Sequence, residues 1–138
     1  MEDENCIFCK ITKGEIPSFK VFEDDFSLAF LDIAPFVKGH TIVIPKNHHM
    51  NLLEFPDKEM KNYFSAVKHV ALKLKRNLNA DGINLMQNNF KAAGQVVAHL
   101  HFHVMPRWKH DKAFPFRVKK LEISKEELSE ILNKINEP

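Results

Sequence analysis

Residues 98–106 read AHLHFHVMP, and this stretch decides both the fold and the chemistry that we expect. His99, His101 and His103 stand at every second position, and the residues between them are apolar. A β-strand sends alternate side chains to opposite faces of a sheet. The pattern therefore predicts a strand with an apolar face toward the core and a row of three imidazoles, about 6–7 Å apart, on the other face.

Four further segments have the composition of strands. They are short, rich in Val, Ile or Phe, and bounded by turn residues. These predicted strands are residues 19–23, 27–32, 40–45 and 83–87. Together with residues 98–106 they favour one antiparallel sheet of five strands.

Two segments have helical periodicity. From Asp57 to Leu78, apolar residues recur at three- and four-residue steps, and the Asn, Asp and Gly residues at 77–82 supply a stop. The predicted buried stripe is Met60, Phe64, Val67, Ala71, Leu74 and Leu78. Ser124 and Glu127 form a capping box that starts a second helix. Its predicted buried stripe is Leu128, Ile131, Leu132 and Ile135. The predicted fold class is α+β, with the helices on one side of the sheet.

The chain has 138 residues, which predicts a single domain over 1–138 that needs no disulfide. A net charge of +2, with 44% hydrophobic and 28% charged residues, excludes a disordered chain and a strongly electrostatic nucleic-acid platform. No apolar run approaches the roughly 20 residues that span a bilayer, and the first residues are acidic rather than signal-like. We expect a cytoplasmic protein with no nucleic-acid and no membrane partner.

The histidine row permits several kinds of chemistry. An imidazole with a pKa near 6.5 is largely neutral at pH 7, so it can act as a nucleophile, carry a proton or bind a metal. One alternative is a metallohydrolase in which His99, His101 and His103 bind one catalytic zinc, although a straight strand holds alternate side chains far apart for that. The turn at 94–97 suits a phosphate, because successive backbone N–H groups form an anion-binding concavity.

Both cysteines of the chain, Cys6 and Cys9, are too close in sequence to close a useful disulfide loop. A tetrahedral zinc ion on this pair needs two further ligands, and the candidates are His48, His49 and the histidine row. The alternatives are two free thiols or a redox pair, for which a thioredoxin-like pattern is missing.

Residues 94–107, GQVVAHLHFHVMPR, resemble the signature of the histidine triad family of nucleotide hydrolases and transferases. Further similar segments follow the family order at residues 8–11, 14–17, 22–25, 28–33 and 39–46. The resemblance covers residues 5–107, and 108–138 form a tail and a helix beyond it. The zinc-bearing members of the family resemble this chain most.

The resemblance implies a hydrolase that cleaves at the α-phosphate of a purine nucleoside phosphoramidate or a dinucleoside polyphosphate, by way of a nucleotidyl-histidine intermediate. His101 would be the nucleophile. His103 would donate a hydrogen bond to the phosphate or protonate the leaving group. The implied ligands of a structural zinc ion are Cys6, Cys9, His48 and His99.

The resemblance also implies a pocket for an AMP-like unit. Asp32 would accept the ribose hydroxyls, and His40 would support the histidine row. The base would lie among Ile7, Phe8, Ile11, Phe30, Leu31 and Ile33, and the phosphate near Asn88, Gly94, Gln95, Val96 and Val97. Family members usually carry Ser or Thr at the position of Val96, so leaving-group assistance differs here.

Family members pair through the long helix and the fourth strand, so we expect a homodimer whose sheet continues across the interface. The alternative function is a nucleotide-binding or scaffolding protein whose catalysis is vestigial.

Overall fold

The computed structural model describes residues 3–113 and 119–138. The helices are α1 (Ile7–Thr12), α2 (Asp57–Asn77) and α3 (Lys125–Ile135). The strands are β1 (Lys20–Glu23), β2 (Ser27–Leu31), β3 (Thr41–Pro45), β4 (Gly82–Met86) and β5 (Phe102–Arg107). The sheet order is β1-β2-β3-β5-β4, and all neighbours are antiparallel. The predicted α+β fold with a five-stranded antiparallel sheet is confirmed.

β5 begins four residues later than predicted, at Phe102 rather than at residue 98. The reason lies in the hydrogen bonds of the preceding segment. The backbone N–H of Leu100 donates to the carbonyl of His49 at 2.7 Å, so this part of the chain pairs with the loop after β3. His99 and His101 therefore precede the sheet, and only His103 lies on the strand.

Two hydrophobic clusters lie on opposite faces of the sheet, because alternate residues of β2 and β3 point to opposite sides. Ala29 and Val43 belong to the cluster under α2, while Phe30 and Ile42 belong to the cluster under α1. Sequence patterning did not predict α1, which is too short to show a periodic signal. The sheet therefore carries a helix on each face rather than on one side.

α2 buries part of the predicted stripe: Val67 and Leu74 are buried, and Met60 and Ala71 pack partly buried against the same core. Its buried residues are Tyr63, Ala66, Val67, Val70 and Leu74. Phe64 and Leu78 of the predicted stripe are each 41% exposed. Tyr63 replaces Phe64 in the core because its hydroxyl donates to the Val43 carbonyl at 2.8 Å, which satisfies the one polar atom of this side chain.

α3 begins with the predicted capping box of Ser124 and Glu127. Its predicted buried stripe is wrong, because α3 contributes no buried residue. The stripe residues are 45–72% exposed: Leu128, Ile131, Leu132 and Ile135. Of the basic and aromatic stretch 108–120 that leads to α3, residues 114–118 lie outside the described residues. Among the helices of the described chain, none is both long enough and apolar enough to cross a bilayer.

Candidate active site and metal site

The four side chains predicted as zinc ligands lie together, and we call them the metal set: Cys6, Cys9, His48 and His99. One ligand atom from each lies within 4.8 Å of all the others. His99 Nδ1 is 3.4 Å from Cys6 Sγ and 3.6 Å from Cys9 Sγ. His48 Nδ1 is 3.4 Å from Cys9 Sγ and 3.1 Å from His99 Nδ1. The N-cap and first turn of α1, the loop after β3 and the segment before β5 thus converge on one point.

The spacing within the metal set fits a tetrahedral ion. With Zn–S bonds of about 2.3 Å and Zn–N bonds of about 2.0–2.1 Å, a regular tetrahedron has S···N edges of about 3.6 Å and N···N edges of about 3.4 Å. The observed separations of 3.1–3.6 Å are close to those edges. Two thiols and two imidazoles are also the donor set of a structural zinc site.

The ring of His99 is oriented by the backbone. Its Nε2 lies 2.8 Å from the carbonyl of Pro45, and a carbonyl only accepts, so Nε2 carries the proton. In the neutral ring the Nδ1 lone pair then points at the cysteines, as a metal ligand requires. Burial lowers the pKa of His99 to about 4, which keeps the ring neutral at pH 7.

His101 has the opposite tautomer. Its Nδ1 lies 2.7 Å from the carbonyl of His99, so Nδ1 donates and Nε2 bears the lone pair. The ring packs against Phe8 and His103, with centroid distances of 5.2 and 4.9 Å. Burial lowers the pKa of His101, although the hydrogen bond to His99 and the charge of Asp32 oppose this shift. His101 is thus a neutral imidazole with a defined free nitrogen.

His40 and His103 form a hydrogen-bond chain in which every N–H donor points the same way. The backbone N–H of Phe36 donates to His40 Nδ1 at 3.2 Å, so the proton of a neutral His40 is on Nε2. His40 Nε2 is 2.8 Å from His103 Nδ1, and that N–H therefore donates to His103. The remaining proton of His103 lies on Nε2. Asp32 Oδ2 is 3.7 Å from His40 Nε2 and is the carboxylate beside this pair.

Both rings of this pair are neutral at pH 7. Burial lowers the pKa of His40, and the charge of Asp32 opposes the shift. Burial, together with His101 and His40, lowers the pKa of His103 to about 4, again opposed by Asp32. A bound anion would act in the same direction as Asp32 and favour the protonated form.

The three histidines of residues 98–106 therefore do not form one flat row. His99 Nδ1 faces the cysteines, His101 Nδ1 faces a carbonyl, and His103 Nδ1 faces His40. Within the described residues, His99 and His103 fall in two separate groups of metal-ligating side chains. This arrangement argues against the alternative in which all three bind one catalytic zinc.

An apolar cleft of about 150 Å³ lies beside Asp32. It contains every side chain predicted to line the base pocket. The lining residues are Ile7, Phe8, Ile11, Ile16, Pro17, Ser18, Phe30, Leu31, Asp32, Ile33 and Ile42. Ile33 stands at the rim and is 88% exposed, whereas Phe8 and Phe30 also belong to the core cluster under α1. Sequence reasoning assigned no site role to Ile16, Pro17 and Ser18, although Ile16 and Pro17 lie in the similar segment 14–17.

The loop before the histidines is held by Gln95. Its amide Nε2 donates to the carbonyls of Met50 at 2.6 Å and Val97 at 3.0 Å, and its Oε1 accepts from the backbone N–H of Phe90 at 2.8 Å. Both amide protons are therefore used within the protein. The Gln95 side chain, which the resemblance places near the phosphate, thus shapes this loop.

This loop contains two residues with left-handed φ, Phe90 at +70° and Gly94 at +92°. Such backbone is strained for Phe90, and strain of this kind collects at functional sites. Asn88 lies beside Gly94, where an added Cβ would be 3.7 Å from Asn88 Nδ2. Val96 is 92% exposed, so its side chain contributes little to packing.

Sequence reasoning missed three supporting groups: the carbonyl of Pro45, the N–H of Phe36 and the side chain of Asn89. The first two are backbone groups, which leave no residue-type signal. Asn89 accepts from the N–H of Leu52 at 2.9 Å and exchanges amide hydrogen bonds with Gln87 at 2.8 and 2.9 Å. His49 stays outside the metal set, with its Nε2 3.5 Å from Glu59.

The sequence model of a protein family described as the HIT domain matches residues 13–110 of this chain. The chain is 50% identical to Protein hit of Bacillus subtilis over 111 residues, which are 80% of this chain and 77% of that protein. It is 45% identical over 105 residues to the adenosine 5'-monophosphoramidase of Saccharomyces cerevisiae, covering 76% of this chain and 64% of that enzyme.

A solved structure similar to this one is that of a Zn-bound histidine triad family protein from Mycobacterium smegmatis, with a TM-score of 0.76 and 37% identity. The similarity covers 96% of both chains. The family match extends over the sheet, α2 and the histidine segment, and α1 with Cys6 and Cys9 precedes it. This chain belongs to the HIT family.

Proposed function

We propose that this protein is a nucleotide hydrolase that cleaves at the α-phosphate of a purine nucleoside phosphoramidate or a dinucleoside polyphosphate. The observation that carries the proposal is the tautomer of His101. A carbonyl holds its Nδ1 proton, so the Nε2 lone pair is available to attack phosphorus. The monophosphoramidase activity of the yeast relative is support from the family.

In the first step, His101 Nε2 attacks the α-phosphorus, a P–N bond to the ring forms, and the bond to the leaving group breaks. The pair His40 and His103 takes up one proton together with the anionic substrate, and His103 Nε2 passes that proton to the leaving group. Asp32 favours this proton uptake. In the second step, water displaces His101 from phosphorus and its proton returns to the pair. Two displacements replace one difficult step.

The cleft supports an AMP-like unit in one orientation. The purine would lie between α1 and β2, against Phe8 and Phe30, and the ribose hydroxyls would bond to Asp32, whose Oδ1 also accepts from the N–H of Ala34 at 2.9 Å. The phosphate would then meet the backbone N–H groups of Val96 and Val97 in the loop that Gln95 shapes.

We further propose that the metal set binds a structural zinc ion. Cys6 and Cys9 would supply thiolates, and His48 and His99 would supply neutral imidazoles. The ion would fix the start of the chain against the histidine segment and takes no part in the chemical steps. The proposal places the protein in the cytoplasm, because free thiols need a reducing compartment.

A homodimer is also part of the proposal. β4 is an edge strand, and Leu85 on it is 52% exposed. Its unpaired backbone groups can pair with β4 of a second copy and extend the sheet. Size-exclusion chromatography with light scattering should give twice the mass of one chain.

The experiment that tests the proposed function is intermediate trapping. Adenosine 5'-monophosphoramidate labelled at phosphorus is mixed with the protein and quenched within milliseconds. We expect an acid-labile phosphorus adduct on the peptide that contains His101, with the label released as AMP on longer incubation. Rapid turnover with no adduct on any histidine would refute the covalent mechanism.

The second candidate is a nucleotide-binding protein with vestigial catalysis, and Val96 is the observation that favours it. A valine offers no hydroxyl where relatives assist the leaving group. This candidate predicts AMP binding with turnover no faster than the uncatalysed reaction, so a panel of phosphoramidates and dinucleoside polyphosphates separates the two candidates.

A further inference from the structure

α1 is six residues long, far below the length at which a helix is stable by itself in water. It also lacks a side-chain hydrogen bond at its N-cap. The position of α1 therefore depends on what its side chains contact. Its buried residues are Phe8 and Cys9.

These contacts divide between two sites. Cys6, at the N-cap, and Cys9 belong to the metal set. Ile7, Phe8 and Ile11 line the apolar cleft. α1 and its N-cap are thus shared between the two sites. One face supplies two of the four side chains of the metal set, and the other supplies a wall of the cleft.

Phe8 is the closest link between the two sites. Its ring packs edge-on against His99 of the metal set, at a centroid distance of 5.8 Å. It packs in the same way against His101 at 5.2 Å and against Phe30 of the cleft at 5.5 Å. A shift of α1 would move this ring in all three contacts together.

We propose that metal binding at the metal set and nucleotide binding in the cleft are coupled through α1. The metal would fix α1 in the position in which it forms one wall of the cleft. The entropy cost of ordering α1 is then met before the base binds. Phe8 is then a positioning residue as well as a wall of the cleft. This inference rests on the proposed function, because it takes the occupant of the cleft to be a nucleotide.

Linkage makes the proposal quantitative. Whatever factor the metal adds to nucleotide affinity, the nucleotide must add to metal affinity. Coupling free energies between sites commonly correspond to factors of about 5–150. A metal that only stabilised the fold as a whole would leave the nucleotide affinity of the folded, metal-free protein unchanged.

The test is isothermal titration calorimetry with AMP and, separately, ribose 5-phosphate, on the full chain loaded with zinc and on the same protein after chelation. Circular dichroism shows whether the metal-free protein remains folded at the temperature used. We expect the dissociation constant for AMP to rise by about 5- to 150-fold without zinc, and that for ribose 5-phosphate to change much less, because it has no base to meet α1.

The reciprocal measurement keeps the test decisive should the metal-free protein unfold. The equilibrium partition of zinc between the protein and a competing chelator is measured at equal occupancy by AMP or by ribose 5-phosphate. AMP should raise the zinc affinity of the protein more than ribose 5-phosphate does. An equal effect of both ligands, or AMP affinities that do not depend on zinc in a folded protein, would overturn the coupling.

Two variants serve as controls. The double variant C6S/C9S should bind AMP as weakly as the metal-free protein, with no response to added zinc. H49Q changes a neighbouring histidine outside the metal set and should retain both affinities and their coupling. Failure of the zinc-loaded protein to bind AMP at all would instead contradict the proposed function, so the two failures are distinguishable.

Discussion

Within residues 3–113 and 119–138, two groups of side chains could ligate a metal, and they are built differently. In the metal set, His99 Nδ1 lies 3.4 Å from Cys6 Sγ, and its lone pair points to the centre of the group because the one proton of the neutral ring is on Nε2, which donates to the Pro45 carbonyl. In the second group, His40 Nε2 lies 2.8 Å from His103 Nδ1 with a proton between them. The first group fits a metal ion, and the second is arranged to hold and move a proton.

The difference comes from a backbone partner in each case. A carbonyl on Nε2 leaves Nδ1 of His99 free to face the cysteines, and a carbonyl on Nδ1 leaves Nε2 of His101 free. A backbone N–H on His40 directs the remaining proton of His103 to Nε2. The three histidines differ because each ring has a different hydrogen-bond partner.

The largest effect should come from H101A. Removing the nucleophile should lower kcat by about 10⁴-fold or more, as for other residues that form the covalent intermediate. Zinc content should be unchanged, because the His101 side chain contributes no ligand to the metal set. Chromatographic assay of adenosine 5'-monophosphoramidate hydrolysis and elemental analysis check the two statements. H69Q, on the exposed face of α2, is the control, and turnover of H101A within tenfold of the parent would contradict the assignment.

The metal set should respond to C9S in stability rather than in chemistry. Loss of one of four ligands removes folding free energy supplied by the ion, so we expect loss of zinc and a fall in Tm of about 10 °C or more. Differential scanning calorimetry with and without zinc measures this. H49Q should keep both the zinc and the Tm, and an unchanged Tm in C9S would show that the four side chains do not hold a structural ion.

The lowered pKa of His101 predicts a pH dependence. Burial lowers the pKa of His101 below 6.5, so its neutral form persists to lower pH than that of a free imidazole. The acidic limb of kcat/KM should therefore lie below pH 6.5, with activity lost as the pH falls through the lowered pKa. A profile between pH 4 and 8, with circular dichroism at each pH, measures it. A limb above pH 6.5 in a folded protein would contradict the role given to burial.

The smallest effect should come from V96S. A hydroxyl at this exposed position could donate one hydrogen bond toward the leaving group, which corresponds to a rise in kcat of about fivefold. KM and zinc content should not change. Steady-state kinetics on the same phosphoramidate test this, with V96A as the matched control that adds no hydroxyl and should show no gain.

The sheet, α2 and the capping box of α3 could be predicted because they depend on local patterns. Alternation marks strands, a 3.6-residue period marks α2, and Ser124 with Glu127 marks a helix start. The buried faces were less predictable. Tyr63 rather than Phe64 enters the core because a carbonyl on β3 accepts its hydroxyl proton, and the apolar stripe of α3 is exposed although its pattern is typical of a buried one.

In the candidate site, residue types were predictable and their relations were not. The sequence pointed to the cysteine pair, the histidines and the apolar side chains now found in the cleft. It placed Gln95 near the phosphate but gave no sign that both amide protons of Gln95 donate to the carbonyls of Met50 and Val97. Those carbonyls belong to distant or irregular backbone, which carries no residue-type signal.

Which groups are present, and in what order, follows from the sequence alone, since spacing along the chain and motif order are properties of the covalent polymer. The tertiary structure alone decided which nitrogen of each histidine keeps its proton. A tautomer is set by the nearest donor or acceptor, and for His99 that is the carbonyl of Pro45, a residue 54 positions away that β3 brings to within 2.8 Å. The same sheet and loops place one face of α1 at the metal set and the other at the cleft.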